Sequence, residues 1–281
     1  MYSPENSEGQ IITLIEGPIN NRHKWPVYFR HPSIDKEIND ADFLHLLSLA
    51  ALKAGIAVNS YEKNIIDFLK PRFDFYQNRL QNKYGSEVVQ LILEQRLKMI
   101  LLINSPGGSA FECGHVVRAM GYIQAKGGLA DTLVSSKAMS GAADIFSKAN
   151  NRFVINISEL MFHDPYFESK DLDLDSKVKA SELNIRSFEN IKNLRRFFQL
   201  HLEGPKLKAI LDKIDEITLD DNWELNFSGE EMATLEIATA FPTIDELANH
   251  FSRKTNIILS QLEQKDPRRK FFNKRNKLVK R

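Results

Sequence analysis

The sequence predicts an α/β fold. Three observations carry that prediction. Leu97 to Ile103 is a short, almost continuous apolar run, the mark of a strand covered on both faces. It ends in a tight turn, Asn104-Ser-Pro-Gly-Gly-Ser109, and leads into a helix-length stretch, Phe111 to Lys126, closed by Gly127-Gly128. A second strand, Leu129 to Ser135, follows, so strands alternate with crossovers long enough to be helices.

The remaining elements follow in chain order. Ile11 to Pro18 is a β-branched run stopped by Gly17-Pro18, which predicts a strand and turn. Residues 21–88 change character and predict a helical insertion. Asp42 to Gly55 has helical composition, with Gly55 in the position that ends a helix. Between Ser60 and Tyr84, apolar residues recur at helical spacing (Ile65, Phe68, Phe73, Phe75, Leu80), and Pro71 predicts two helices or one kinked helix. Val88 to Gln95 can close a helix. Beyond the second strand, Ser140 to Asn150 predicts a short helix of small residues, and Phe153–Ile157 and Leu160–His163 predict strands. Asp171 to Asp175 alternates like an exposed strand. Lys177–Leu202 and Lys206–Glu216 predict charged helices, and Ser228–Ala240 a helix opened by the capping box Ser228-Gly-Glu-Glu231.

Composition narrows the class. The 281 residues are 42% hydrophobic and 27% charged, which excludes a wholly disordered or collagen-like chain. The single cysteine, Cys113, excludes an internal disulfide and a thiolate-rich metal site, and predicts a small buried hydrophobe. No apolar stretch approaches the roughly 18–20 residues that span a bilayer. The polar first ten residues predict no secretory signal, so a soluble cytoplasmic protein is expected. The formal net charge of +1 conceals a division. From Lys265 onward nine basic residues face one acidic residue, Asp266, so the body is acidic and the tail basic. Such a tail suits nonspecific nucleic-acid contact, with Phe271 and Phe272 available for stacking, or an acidic partner; a solvated tail is the commoner case.

Three motifs between residues 103 and 165 carry chemistry. The two glycines of Asn104–Ser109 permit unusual φ values and leave backbone N–H groups for an oxyanion or an extended peptide. Ser140, in Ser136-Lys-Ala-Met-Ser-Gly-Ala-Ala143, stands at a helix start. There the N–H of Gly141 is free and the positive helix end favours negative charge. Taken alone, an N-cap is the commoner role for such a serine. His163 closes the strand of Leu160-Met-Phe-His-Asp-Pro165, and histidine is the side chain best suited to accept a proton near neutral pH. Together they form the equipment of serine acyl transfer.

The order of these motifs resembles the ClpP family, the proteolytic subunit of Clp proteases. Asn104-Ser-Pro-Gly-Gly108 is similar to that family's Asn-Ser-Pro-Gly-Gly signature, and Ala138-Met-Ser-Gly-Ala142 to its nucleophile segment. Leu160-Met-Phe-His-Asp-Pro165 is similar to its histidine segment, and Ile12 to Ile19 to its first strand. The resemblance covers residues 11–20 and about 89–247. It implies Ser140 as nucleophile, His163 as base, and Gly107, Gly108 and Gly141 as oxyanion hole and substrate-backbone contacts. It also implies a carboxylate before Asn226-Phe-Ser-Gly-Glu-Glu-Met-Ala233. The family spacing leads to Asp220, with Asp221 as the alternative and Asp212 a weaker one from a different alignment. Tyr166 to Lys170 replaces the glycines that the family carries after the histidine. Asp144 stands where the family is apolar.

The fold that the resemblance implies is a ClpP/crotonase-like spiral of ββα units. Residues 1–247 would be the peptidase domain, with the insertion at about 21–88 and a handle at about 166–216; residues 248–281 would be a basic extension. The implied activity is a serine endopeptidase that needs no metal or organic cofactor. The implied partners are peptides or unfolded proteins, other copies of the chain in a ring or two stacked rings, and an AAA+ unfoldase, since the chain has no P-loop. Two alternatives stay open: a soluble peptidase like signal-peptide peptidase A, and a non-catalytic ring or scaffold subunit.

Overall fold

A computed structural model describes residues 9–20, 25, 27–31, 34–38, 41–56, 66–163, 191–218 and 223–255. Four parallel strands form its centre: β1 (Gly9–Glu16), β4 (Leu97–Ser105), β5 (Leu129–Met139) and β6 (Asn151–Ile155). The apolar run that predicted β4 is fully buried on one face, through Leu97, Met99, Leu101 and Ile103, while on the other Ile100 is buried and Leu102 half-buried. Helix α4 (Ala110–Ala125) makes the crossover from β4 to β5, and α5 (Gly141–Ser147) the one from β5 to β6. The α/β class is as the sequence predicts.

The segment read as a helical insertion departs from expectation at its start. Val27–His31 (β2) and Ile34–Ile38 (β3) form an antiparallel pair, and β2 pairs antiparallel with β1. Val27 and Phe29 are buried, so every second side chain of β2 enters the core, which a helix could not arrange. Helices follow: α1 (Asp42–Lys53), α2 (Ile66–Tyr84) and α3 (Ser86–Glu94). Gly55, at φ +78°, ends α1: its N–H bonds Leu52 O and the Ile56 N–H bonds Ala51 O, a Schellman closure. Pro71 does not divide α2. It lies near the start of a single helix, where the missing N–H costs one bond.

β5 is longer than the predicted strand, and its two halves belong to different neighbours. Asp131 to Val134 pair with β6, whereas Lys137 to Met139 pair with β7 (Glu159–His163). The register with β4 jumps between Ile103↔Val134 and Ser105↔Ala138, so the strand bulges and turns at residues 135–137. β8 (Glu224–Ser228) joins β7 antiparallel. Helical residues 191–201 (α6) bury Leu194, Phe197 and Phe198, and Phe162 of β7 and Phe227 of β8 make ring contacts with Phe198. α7 (Gly204–Ile217) precedes β8 and buries Ile210 and Ile214.

The capping box at Ser228 forms: its hydroxyl accepts from the Glu231 N–H at 3.1 Å, and its N–H bonds the Glu231 carboxylate at 2.6 Å. The helix it opens, α8 (Gly229–Thr234), is shorter than expected. Glu236 takes φ +62° and the chain becomes β9 (Thr239–Phe241), which lies beside β6. The chain forms two compact units, residues 1–240 and 241–281. The second is described as α9 (Ile244–Thr255), whose Glu246 N–H bonds the Thr243 hydroxyl. The strand expected at 171–175, the first part of the helix expected at 177–202, and most of the basic tail lie outside the described residues.

Candidate active site

The site grows from the ends of β1, β4, β5 and β7. Because β1 and β4 run in parallel, their terminal turns lie side by side. The Gly17 N–H bonds Asn104 O at 3.0 Å. The Ser105 hydroxyl donates to Gly17 O at 2.7 Å and accepts from the Gly107 N–H at 3.0 Å. Ser105 thus fastens the glycine loop to β1 through its side chain, a role the motif contained but the sequence reading did not assign.

The loop then makes one parallel bridge. The Ile19 N–H bonds Gly107 O at 2.8 Å, and the Ser109 N–H bonds Ile19 O at 2.7 Å. In such a bridge the residue between those two points its own N–H and C=O to the opposite edge. That residue is Gly108, and it is exposed. Gly107, by contrast, is buried and has both its backbone polar groups engaged. Neither glycine has room for a side chain. At Gly107 (φ +86°) a Cβ would collide with Met139 O and come within 2.6 Å of Ser140 Cβ; at Gly108 (φ +149°) it would collide with Ile19 O. Gly108 differs in that its own N–H and C=O face an open edge.

Ser140 follows the last paired residue of β5 and opens α5. Its backbone stands at φ 56°, ψ −130°, a conformation that L-residues avoid. The Ser140 N–H bonds Met161 O at 2.8 Å, and its carbonyl accepts from the Ala143 and Asp144 N–H groups. Its side chain makes no cap bond, so the N-cap reading fails. A strained serine between a strand and a helix is the arrangement that lifts a hydroxyl clear of its own backbone. Gly141 behind it has no room for a side chain: a Cβ would collide with Cys113 Sγ and stand 3.1 Å from Cys113 Cβ. Burial, with Asp144 and then Glu112 adding to it, pushes the Cys113 thiol up to about 12, so it stays protonated and serves as packing.

His163 ends β7, in parallel pairing beside the second half of β5. Met161 pairs with Met139, and His163 lies two residues further on the same face. Ser140 and His163 thus leave neighbouring strands at the same end. Asp144, one turn after Ser140, is close enough to His163 for the imidazole to favour its ionised form. Crowding by the surrounding protein pushes the Asp144 carboxyl up, to about 6, against the pull of Lys148 and His163. Its side chain nevertheless reaches water, and that direct contact works against so large a rise. Asp212 stands on the exposed face of α7. Asp220 and Asp221 lie outside the described residues.

No curated protein matches the chain. Among solved structures, it is similar to a ClpP1 mutant from Listeria monocytogenes. The two share 15% identity over 84% of this chain and 94% of that one, with a TM-score of 0.45. The Clp protease family model matches residues 60–202, more than half of the chain and all of the stretch from the glycine loop to His163. The chain belongs to the Clp protease family.

Proposed function

We propose that the protein is a serine peptidase that cleaves peptide bonds with Ser140 as nucleophile and His163 as general base. The observation that carries this reading is the backbone of Ser140: an unfavourable φ, ψ pair held where the side chain caps nothing and Gly107 lies against it. Strain of this kind costs about 1–3 kcal/mol and persists where the surrounding structure requires it.

In the proposed reaction a peptide lies as an added strand along the free edge of Gly108. His163 takes the hydroxyl proton as Ser140 Oγ attacks the carbonyl carbon. The resulting oxyanion receives the N–H groups of Gly108 and Gly141. His163 then gives its proton to the leaving amine, and a water molecule, activated by the same imidazole, releases the acyl group from Ser140. Gly107 acts by positioning, through its bonds to Ser105 and Ile19. The orienting carboxylate is assigned to Asp220, with Asp221 as the alternative. The assembly proposed is a ring of identical chains, fed by an AAA+ unfoldase with unfolded protein.

The test is covalent labelling. A fluorophosphonate serine-hydrolase probe should label the wild-type chain at Ser140, and Ser140→Ala should abolish the label. Equal labelling of the two would remove Ser140 as nucleophile. Absence of label from a folded wild-type chain would favour a non-catalytic subunit.

A further inference from the structure

Outside that site, α1 and α4 bring two imidazoles and a carboxylate together. His45 comes from α1; Glu112 and His115, three residues apart, share one face of α4. One nitrogen or oxygen from each lies within 4.8 Å of the others, and His45 Nε2 stands 3.2 Å from Glu112 Oε2. The two rings are nearly stacked, with centroids 4.4 Å apart. Glu112 and His45 are mostly buried and His115 is buried.

We infer that His45, Glu112 and His115 bind a divalent transition-metal ion, Zn²⁺ by their chemistry, and so clamp the inserted helix α1 to α4. Two imidazole nitrogens and one carboxylate oxygen are a zinc donor set that leaves a fourth position for water. Bond lengths of roughly 2.0–2.2 Å put neighbouring ligand atoms about 3.4 Å apart, which this cluster reaches with small rotamer adjustments.

A metal needs a neutral imidazole. His115 is the buried imidazole of the pair. Its second nitrogen already has an orienting partner. Ser48 Oγ lies 2.9 Å from His115 Nδ1, and the Arg118 Nε–H donates to that hydroxyl at 2.7 Å. Ser48 is fully buried, and its hydroxyl, which accepts from Arg118, donates to Nδ1; when an ion takes Nε2, the proton moves to Nδ1 and the Ser48 oxygen accepts it. Arg118 Nη2 also donates to His115 Nδ1 at 3.3 Å, a bond that metal binding at Nε2 gives up, and its positive charge opposes the ion; both lower the affinity.

The test uses the full chain, stripped with EDTA and desalted. Titration with Zn²⁺ alone should show one saturable site, and Co²⁺ in its place should give visible absorption bands of low-symmetry N/O coordination. Zn²⁺ at a hundredfold excess over its Kd should raise Tm by about 5 °C or more. Glu112→Gln, which keeps shape and removes the charge, and His45→Ala should each weaken binding about tenfold or more. The inference is overturned if wild type shows no saturable site, or if both variants, folded by circular dichroism, bind Zn²⁺ as wild type does. Probe labelling of Ser140 is read separately, so failure of the metal site and failure of the peptidase reading remain distinct results.

Discussion

Asp144 is the carboxyl beside Ser140 whose ionisation the surrounding protein opposes. Its carboxyl is raised above the ordinary aspartate value of 3.8 by crowding, so ionising it in the folded chain costs free energy. The sign follows directly. Its favourable contribution is complete below pH 3.8 and is lost as pH rises through about 6. Asp144→Asn should therefore gain stability over wild type as pH climbs from 4 to 7, with the two chains converging at pH 4. Solvent contact keeps the effect small, so thermal melts at low ionic strength are the measurement. A Tm difference that does not change with pH would show that the carboxyl is ordinary.

The glycine loop is the element on which the site depends. It is tied to β1 by Ser105, bridged to Ile19, and pressed against Ser140 through Gly107. Gly107→Ala places a methyl group against backbone at positive φ, and backbone strain with overpacking should cost about 2 kcal/mol or more. Urea unfolding should show the loss, and probe labelling of Ser140 should fall with it; a stable, fully labelled variant would show that the contact can relax. The elements of this region were legible in sequence for a physical reason. Strands covered on both faces need unbroken apolar runs, and tight turns need glycine. Legibility failed past Ser135, where Ser136-Lys137 is a polar stretch that reads as loop because β5 there leaves one neighbour for another. It also failed at β2, whose short alternation is overshadowed by the helical composition that follows. The identity of Ser140 could be read from its motif, but its φ could not, because packing against Gly107 and Met161 sets it.

At the scale of the molecule, α1 lies before the stretch that the family model matches, yet it covers α4 as part of the core rather than as an appendage. Phe43, Leu44, Leu46 and Leu47 of α1 are all buried in the main hydrophobic cluster. If the proposed ring forms, native mass spectrometry of the 32.3 kDa chain should give an integral multiple of that mass, stable on dilution. A monomer at micromolar concentration would remove the ring. The proposed metal clamp belongs to this scale too, since it joins helices far apart in the sequence, and no residue-level motif announced it. Glu112 and His115 are visible as a pair in α4, but His45 is 67 residues before Glu112 and only the fold brings it near.

The divided loyalty of β5 has a mechanical consequence. Ser140 and His163 ride on the strand pair formed by the second half of β5 and β7, so they are displaced together. Gly108 rides on the turn anchored to β1. The two are nevertheless tied, since Ser105 of β4 pairs with Ala138 across the bulge and Gly107 packs on Ser140. Drift elsewhere in the fold can be absorbed at residues 135–137, which touch solvent, while those contacts keep Ser140, His163 and Gly108 in place.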